Sequence, residues 1–436
     1  MTLRFIDPTM PLSTVCPQHN GASSRTDRSA EAIREGWLAR LRAVVVRRVG
    51  HRILILGTAV LLAACAAAPT RVAPLPEKFA SAAAIPGIAG ARYWGDTRPR
   101  GFDAWLQLSE AELAAGFSGI MNRPHDYLAL SGGGSDGAFG AGLLVGWTEH
   151  GSRPQFTIVT GISTGALIAP FAFLGPRYDE TLRKLYTSLS TADLVEPRSL
   201  LDIVRNDSAT SSAPLRRLLE EYIDDRVIAE IAAEHRRGRS LLIGTTNLDA
   251  ARPVTWNITR IAASGAPHSR KLIHDVILAS ASIPGIFPPV IIDVEADGKH
   301  YDEMHVDGGV TAQVFAYPSG LDWRAVERRL GVKGRPNLYV INNSRAQLPW
   351  DDVERRIVPI LLRTVDSLIR TQGIGDLAQI YLLAQRDGLD FRLAYIPTSF
   401  PEQPREKFDP VYMRALFDLG YSKARSGYPW TTGPER

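Results

Sequence analysis

Gly161-Ile162-Ser163-Thr164-Gly165 has the form G-x-S-x-G and lies between two apolar runs, Phe156–Thr160 and Ala166–Leu174. A serine in a strained strand-to-helix turn has its hydroxyl pushed out of the sheet edge, and the helix N-terminus favours negative charge nearby. That chemistry is nucleophilic attack. The same string also suits a tight turn in which Ser163 caps the next helix. As a nucleophile the hydroxyl needs a base. His125, His150, His235, His268, His274, His300 and His305 follow no motif and read as structural or surface histidines. The other choice is a carboxylate, and Asp307 in Val306-Asp307-Gly308-Gly309 is the best placed. It ends a predicted hairpin strand, and Gly308 and Gly309 allow close backbone approach around it. An ordinary Asx-type turn accounts for Asp-Gly equally well.

Gly132-Gly133-Gly134 follows the short apolar run Tyr127–Leu130, and with Gly137 it satisfies the dinucleotide pattern G-x-G-x-x-G. That pattern requires an acidic residue at the end of the second strand, about twenty residues on, to hold a ribose. Thr160-Gly161-Ile162-Ser163 stands there instead, so no nucleotide is expected. The hydrolase reading needs backbone N–H groups with no side chain in the way, converging on the oxygen that becomes negative in a tetrahedral intermediate. A flexible surface loop is the remaining alternative.

The elements around these motifs read as one α/β unit. Helical spacing runs over Ala138–His150, strands are expected at Leu241–Thr246 and Val254–Ile258, and a helix at Lys271–Ala281. A hairpin is expected over Pro289–His305 around Asp297-Gly298, then strands at Asn337–Asn342 and Phe391–Ile396 and a helical stretch Val353–Gln385. Strand, turn, helix, strand, turn, helix is the grammar of a parallel sheet with crossover helices. Tyr178–Glu234 is mostly amphipathic helix, an insertion or lid. Residues 91–126 show no clear period and read as a surface lead-in.

Gly132-Gly133-Gly134, the Ser163 pentapeptide and Asp307-Gly308-Gly309, in that order, resemble the patatin-like phospholipases. So does Ala279-Ser280-Ala281-Ser282-Ile283-Pro284-Gly285-Ile286-Phe287-Pro288-Pro289, with Ser282 where the family has alanine. The resemblance covers residues 127–320 and leaves 321–436 as an α/β extension packed on the same domain. It implies a three-layer sandwich with a mostly parallel central sheet and a Ser-Asp dyad. Ser163 would attack an acyl ester, Asp307 would act as base, and N–H groups of Gly132–Gly134 would hold the oxyanion. It implies no metal or cofactor, and a membrane lipid or other lipid ester as substrate. One departure is Asp136, where the family commonly has Arg or Lys. A carboxylate there would repel an anionic head group, and Asp136 reads as the cap of the following helix. A catalytically silent envelope lipoprotein that binds lipid or a partner is the alternative function.

The chain has 436 residues, 45% hydrophobic and 22% charged, with a net charge of +4, which excludes a disordered or many-span membrane protein. Cys16 and Cys65 are its two cysteines, too few for a disulfide framework or a cysteine-rich zinc site. Arg47, Arg48 and Arg52 precede an apolar run, Ile53–Ala64, too short to span a bilayer but suited to a secretory signal. Leu62-Ala63-Ala64-Cys65 resembles a bacterial lipobox, which implies acylation at Cys65, a signal over residues 1–64 with an over-long gene start, and a lipidated linker over 65–90. Ala66 after the cysteine points to the outer membrane. Nine of the 50 basic and four of the 46 acidic residues lie in 1–64, so the remainder carries −1. The basic balance belongs to the signal, and no nucleic-acid partner is expected.

Overall fold

The computed structural model describes residues 71, 73–199, 207–345, 350 and 352–434. The signal over 1–64 and the lipidation at Cys65 lie outside the described residues. The stretch expected as linker is structured from residue 73 onward. Pro74 bridges Asp302, Ala84 bridges Glu295, and Ile85 and Ile88 are buried in the core. The lead-in, aperiodic as a sequence, forms β1 (Arg92–Trp94), α1 (Phe102–Leu106) and α2 (Glu110–Phe117). A capping box between Ser109 and Glu112 starts α2, and this S-x-x-E signal is local enough to read from sequence.

Two strand–turn–helix units follow: β2 (Asp126–Leu130) into α3 (Gly137–Glu149), and β3 (Ile158–Gly161) into α4 (Thr164–Leu174). The insertion is helical, with α5 (Asp179–Ser188), α6 (Thr191–Leu194), α7 (Ala213–Tyr222) and α8 (Asp225–His235), plus the short pair β4 (Glu196–Pro197) and β5 (Thr210–Ser211). Then come β6 (Ser240–Asn247), β7 (Arg252–Asn257), α9 (Ile258–Ala263) and α10 (Ser269–Ser280). Next is the hairpin of β8 (Val290–Ala296) and β9 (Lys299–Asp307), turned by Asp297 and Gly298 with φ of 52° and 67°. Paired positive φ values of this kind suit the twist of a two-residue hairpin. The chain closes with α11 (Trp323–Leu330), β10 (Asn337–Arg345), α12 (Ile357–Asp387), β11 (Asp390–Ile396) and α13 (Pro410–Arg425).

Among the described residues these strands form a nine-stranded sheet in the order β1-β7-β6-β3-β2-β10-β11, with β9 bonded to β6 and β8 to β9. Five consecutive strands, β6, β3, β2, β10 and the edge strand β11, are parallel. β2 shows why its sequence is almost wholly apolar. Leu128 and Leu130 belong to one core and Tyr127 and Ala129 to the other, so both faces are covered and no polar alternation is needed. β8, covered on one face, alternates buried and exposed residues. The result is a three-layer α/β sandwich. C-terminal α13 lies tightly on α3, because side chains at Gly142 and Gly146 would collide with the carbonyls of Phe417 and Tyr421.

Candidate active site

All the motifs meet at the carboxyl ends of the parallel strands, where open α/β sheets place their ligand crevices. Ser163 follows β3 with φ 53° and ψ −123°, a conformation that costs a non-glycine residue about 1–3 kcal/mol. Its side chain makes no capping bond to α4, which removes the cap-turn reading. Two interactions hold the turn. A Cβ at Gly161 would stand 2.5 Å from the Gly165 carbonyl oxygen, so the elbow closes only with glycine there. The Ser163 N–H donates to Ser280 Oγ at 3.0 Å, and Ser280 in turn donates to the Gly244 carbonyl at 2.6 Å.

Asp307 ends β9 opposite Thr245, and its N–H donates to the Ser282 carbonyl at 2.9 Å. The Ala279–Pro289 block thus braces both halves of the pair, through the Ser280 hydroxyl and the Ser282 carbonyl. Asp307 Oδ1 accepts from the Gly309 N–H at 2.7 Å, while Oδ2 is buried with no hydrogen-bond partner of ordinary geometry. Burial pushes the carboxyl up to about 7, against the opposing pull of the Ser163 hydroxyl and the Gly309 N–H. A carboxylate poised near neutrality beside a serine hydroxyl is what proton transfer requires. Gly308 and Gly309 are needed for close approach, since Cβ atoms there would stand 2.6 Å from the Gly244 carbonyl oxygen and from Gln313 Oε1.

The glycine loop is held by the ends of β10 and β9. Asn343 N–H and Nδ2 donate to Ser131 Oγ and to the Ser131 carbonyl at 2.7 and 2.9 Å. Gly132 departs from the expected oxyanion role, because its N–H donates to the Gln313 carbonyl at 3.0 Å. Gly133 and Gly134 have no protein acceptor for their N–H groups among the described residues. Gly134 has φ +57°, a left-handed turn that glycine adopts without steric cost. A side chain at Gly133 would strike the Asn343 carbonyl, and one at Gly137 would strike Thr164, so the loop packs directly on the elbow. Gln313 links the two loops. Its Nε2 donates to Ser344 Oγ at 3.1 Å, and its own N–H donates to Asp376 Oδ2 on α12 at 2.6 Å.

Sequence reasoning missed Ser280, Gln313, Asn343 and Asp376 in these roles. Ser280 lay inside the Ala279–Pro289 block without a role assigned to it, Asn342-Asn343-Ser344 stood out as polar residues closing an apolar strand, and Gln313 and Asp376 carried no local signal. Asp136 is corrected, since it makes no capping bond. It accepts from Tyr412 Oη of α13 at 2.6 Å, and Tyr412 accepts from Arg345 Nε at 3.1 Å. Burial raises its carboxyl to about 6, while Tyr412 and Arg345 favour the charge. Tyr412→Phe should therefore cost about 1–3 kcal/mol in thermal unfolding above pH 6, where the carboxylate is charged and loses its donor. The loss should shrink below pH 6 as the carboxyl protonates.

Among the described residues the buried histidines are bonded elsewhere. His305, two residues from Asp307, is bonded to Thr245 Oγ1 and Glu303 at 2.9 and 3.1 Å. No hydrogen bond among the described residues joins a histidine to Ser163. Beside the serine lies an apolar pocket, with Gly134 and Thr164 at one side and Leu167, Tyr186, Leu215 and Leu219 among its walls. The insertion read as a lid supplies α5 and α7 to that wall.

No curated protein sequence matches the chain. Among solved structures, VipD from Legionella pneumophila is similar at 13% identity and a TM-score of 0.35, over 70% of this chain and 67% of that one. Residues 128–318 match the family model described as patatin-like phospholipase. Across residues 128–318 the chain therefore carries a domain similar to the patatin-like phospholipases.

Proposed function

We propose that the protein is a lipid acyl hydrolase, of the phospholipase A or lysophospholipase type, working through a Ser163–Asp307 dyad. The observation that carries this reading is a strained Ser163 beside a buried carboxylate with a raised pKa, next to an apolar pocket whose wall includes Gly134 and Thr164. Asp307 takes the hydroxyl proton as Ser163 Oγ bonds to the ester carbonyl carbon. The carbonyl oxygen becomes negative and is held by the N–H groups of Gly133 and Gly134 and by the N-terminus of α4. Collapse breaks the ester C–O bond, and the departing alcohol takes the proton from Asp307. Water then gives a proton to Asp307 and its oxygen to the acyl carbon, and the fatty acid leaves as Ser163 regains its hydrogen. Acylation at Cys65 would hold the enzyme on the bacterial envelope, at the outer membrane.

The test is labelling of the wild-type protein by a fluorophosphonate probe together with hydrolysis of long-chain lipid esters. An unreactive wild type would favour the silent lipid-binding lipoprotein instead. The pocket makes a separate prediction. Leu219→Trp should lower kcat/KM for long-chain esters roughly tenfold while sparing a short-chain ester, as a chain-length series would show.

A further inference from the structure

The apolar surface the fold leaves bare is concentrated on one helix. Trp350 is 94% exposed, and on α12 Ile357, Ile360, Leu361 and Leu368 are 77, 48, 58 and 65% exposed. At 100° per residue those four helix positions fall on one stripe. Leu377, Ile380 and Ala384, which pack into the core against β11, lie on the opposite side. Asp366, also off the stripe, faces Lys407 and Arg363. The helix thus has two apolar faces, one buried and one bare.

Its length explains the division. α12 has 31 residues, about 46 Å at the α-helical rise, whereas seven-residue β11 covers about 23 Å. The C-terminal half therefore covers the sheet, and Gly373 lies at the level of the site, against Gln313. The residues before it project beyond the carboxyl ends of the strands, on the side where Ser163 opens. Val310, three residues from Asp307, is 40% exposed on the same rim. The N-terminal tether arrives at this end too. Arg71 pairs with Asp249, just past β6, and Ala73 is bonded to Asp302 on the outer part of β9. From Cys65 to Ala73 the chain reaches at most about 28 Å. Although long, α12 is not a span, since no helix among the described residues is long and apolar enough to cross a membrane.

We infer that the projecting half of α12, with Trp350, is an interfacial docking element that inserts its bare stripe into a phospholipid bilayer and sets the mouth of the Ser163 site against the lipid. An amphipathic helix lying in the interface binds by the apolar area it buries there. The inference takes from the proposed function only that the substrate is a lipid ester.

The experiment uses the chain from Ala66 onward, so that neither the apolar signal nor an acyl chain contributes, and vesicles of phosphatidylcholine with phosphatidylglycerol. The protein should float with the vesicles, and Leu361→Glu with Leu368→Glu should weaken binding by roughly tenfold or more. Hydrolysis of a soluble short-chain ester and fluorophosphonate labelling should stay at the parent level, and Leu361→Ser with Leu368→Ser should repeat the loss without added charge. Flotation that survives both double variants overturns the inference. So does a dimer in sedimentation that the double variants split, which would assign the stripe to a second copy. Vesicle binding lost on substitution, in a protein whose Ser163 ignores the probe, would leave the docking element standing and remove the hydrolase.

Discussion

Ser163→Ala is expected to lower kcat for ester hydrolysis by at least about 10⁴-fold and to erase fluorophosphonate labelling. The size of the effect follows from the mechanism, since without Oγ no acyl-enzyme forms and the oxyanion donors act on water attack alone. Stability separates a nucleophile from a structural serine. The strain at φ 53° belongs to any residue with a Cβ, so alanine retains it, while Ser163→Gly should gain about 1–2 kcal/mol in denaturant unfolding. A serine whose hydroxyl served only the fold would show the opposite, a clear loss of stability in both variants. Labelling that persists in Ser163→Ala would remove the proposed nucleophile.

Asp307→Asn should be nearly as damaging to activity, on the order of 10³- to 10⁴-fold in kcat, yet it should stabilise the fold. The Asp307 carboxyl is raised from 3.8 to about 7 by burial. A raised carboxyl pKa means that the folded state resists the charge. Below about pH 4 the group is neutral in both states and costs nothing. The cost grows between about pH 4 and 7 and is constant above, at about 4 kcal/mol. Asparagine escapes it, so the variant's advantage should be absent at pH 4 and full at pH 8. Its amide can face the Ser163 oxygen where Oδ2 now lacks a partner. The same titration sets the wild-type rate profile. Only the ionised form accepts the serine proton, so kcat/KM should fall about tenfold per pH unit below about 7. A profile flat down to pH 5 would mean that Asp307 is not the base.

Much of this site was open to reading along the chain. The elbow, the glycine loop and the Asp-Gly-Gly turn are each defined by neighbours in sequence, because glycine is required wherever backbone comes within van der Waals range of backbone. Strand periodicity served equally well, since a strand buried on both faces, such as Asp126–Leu130, can only be apolar. The lead-in was harder. β1 is three residues long and exists because β7 offers it an edge, and so short a strand has no period to detect.

What stayed hidden depends on partners far apart in the chain. Ser280 reaches Ser163 across 117 positions, and Tyr412 reaches Asp136 across 276. Only the tertiary structure could show that Gly132 spends its N–H on Gln313, that Asp136 faces α13 rather than capping α3, and that half of α12 outruns the sheet. The decisive case is Asp307. As a sequence it was a turn or a base with nothing to choose between them, because a carboxylate's basicity is set by how completely water is removed from it and by which donors replace that water. The sequence by itself determined which residues could do the chemistry and in what order the strands and helices present them. Burial, a property of the whole packed chain, is what raises the Asp307 carboxyl to about 7.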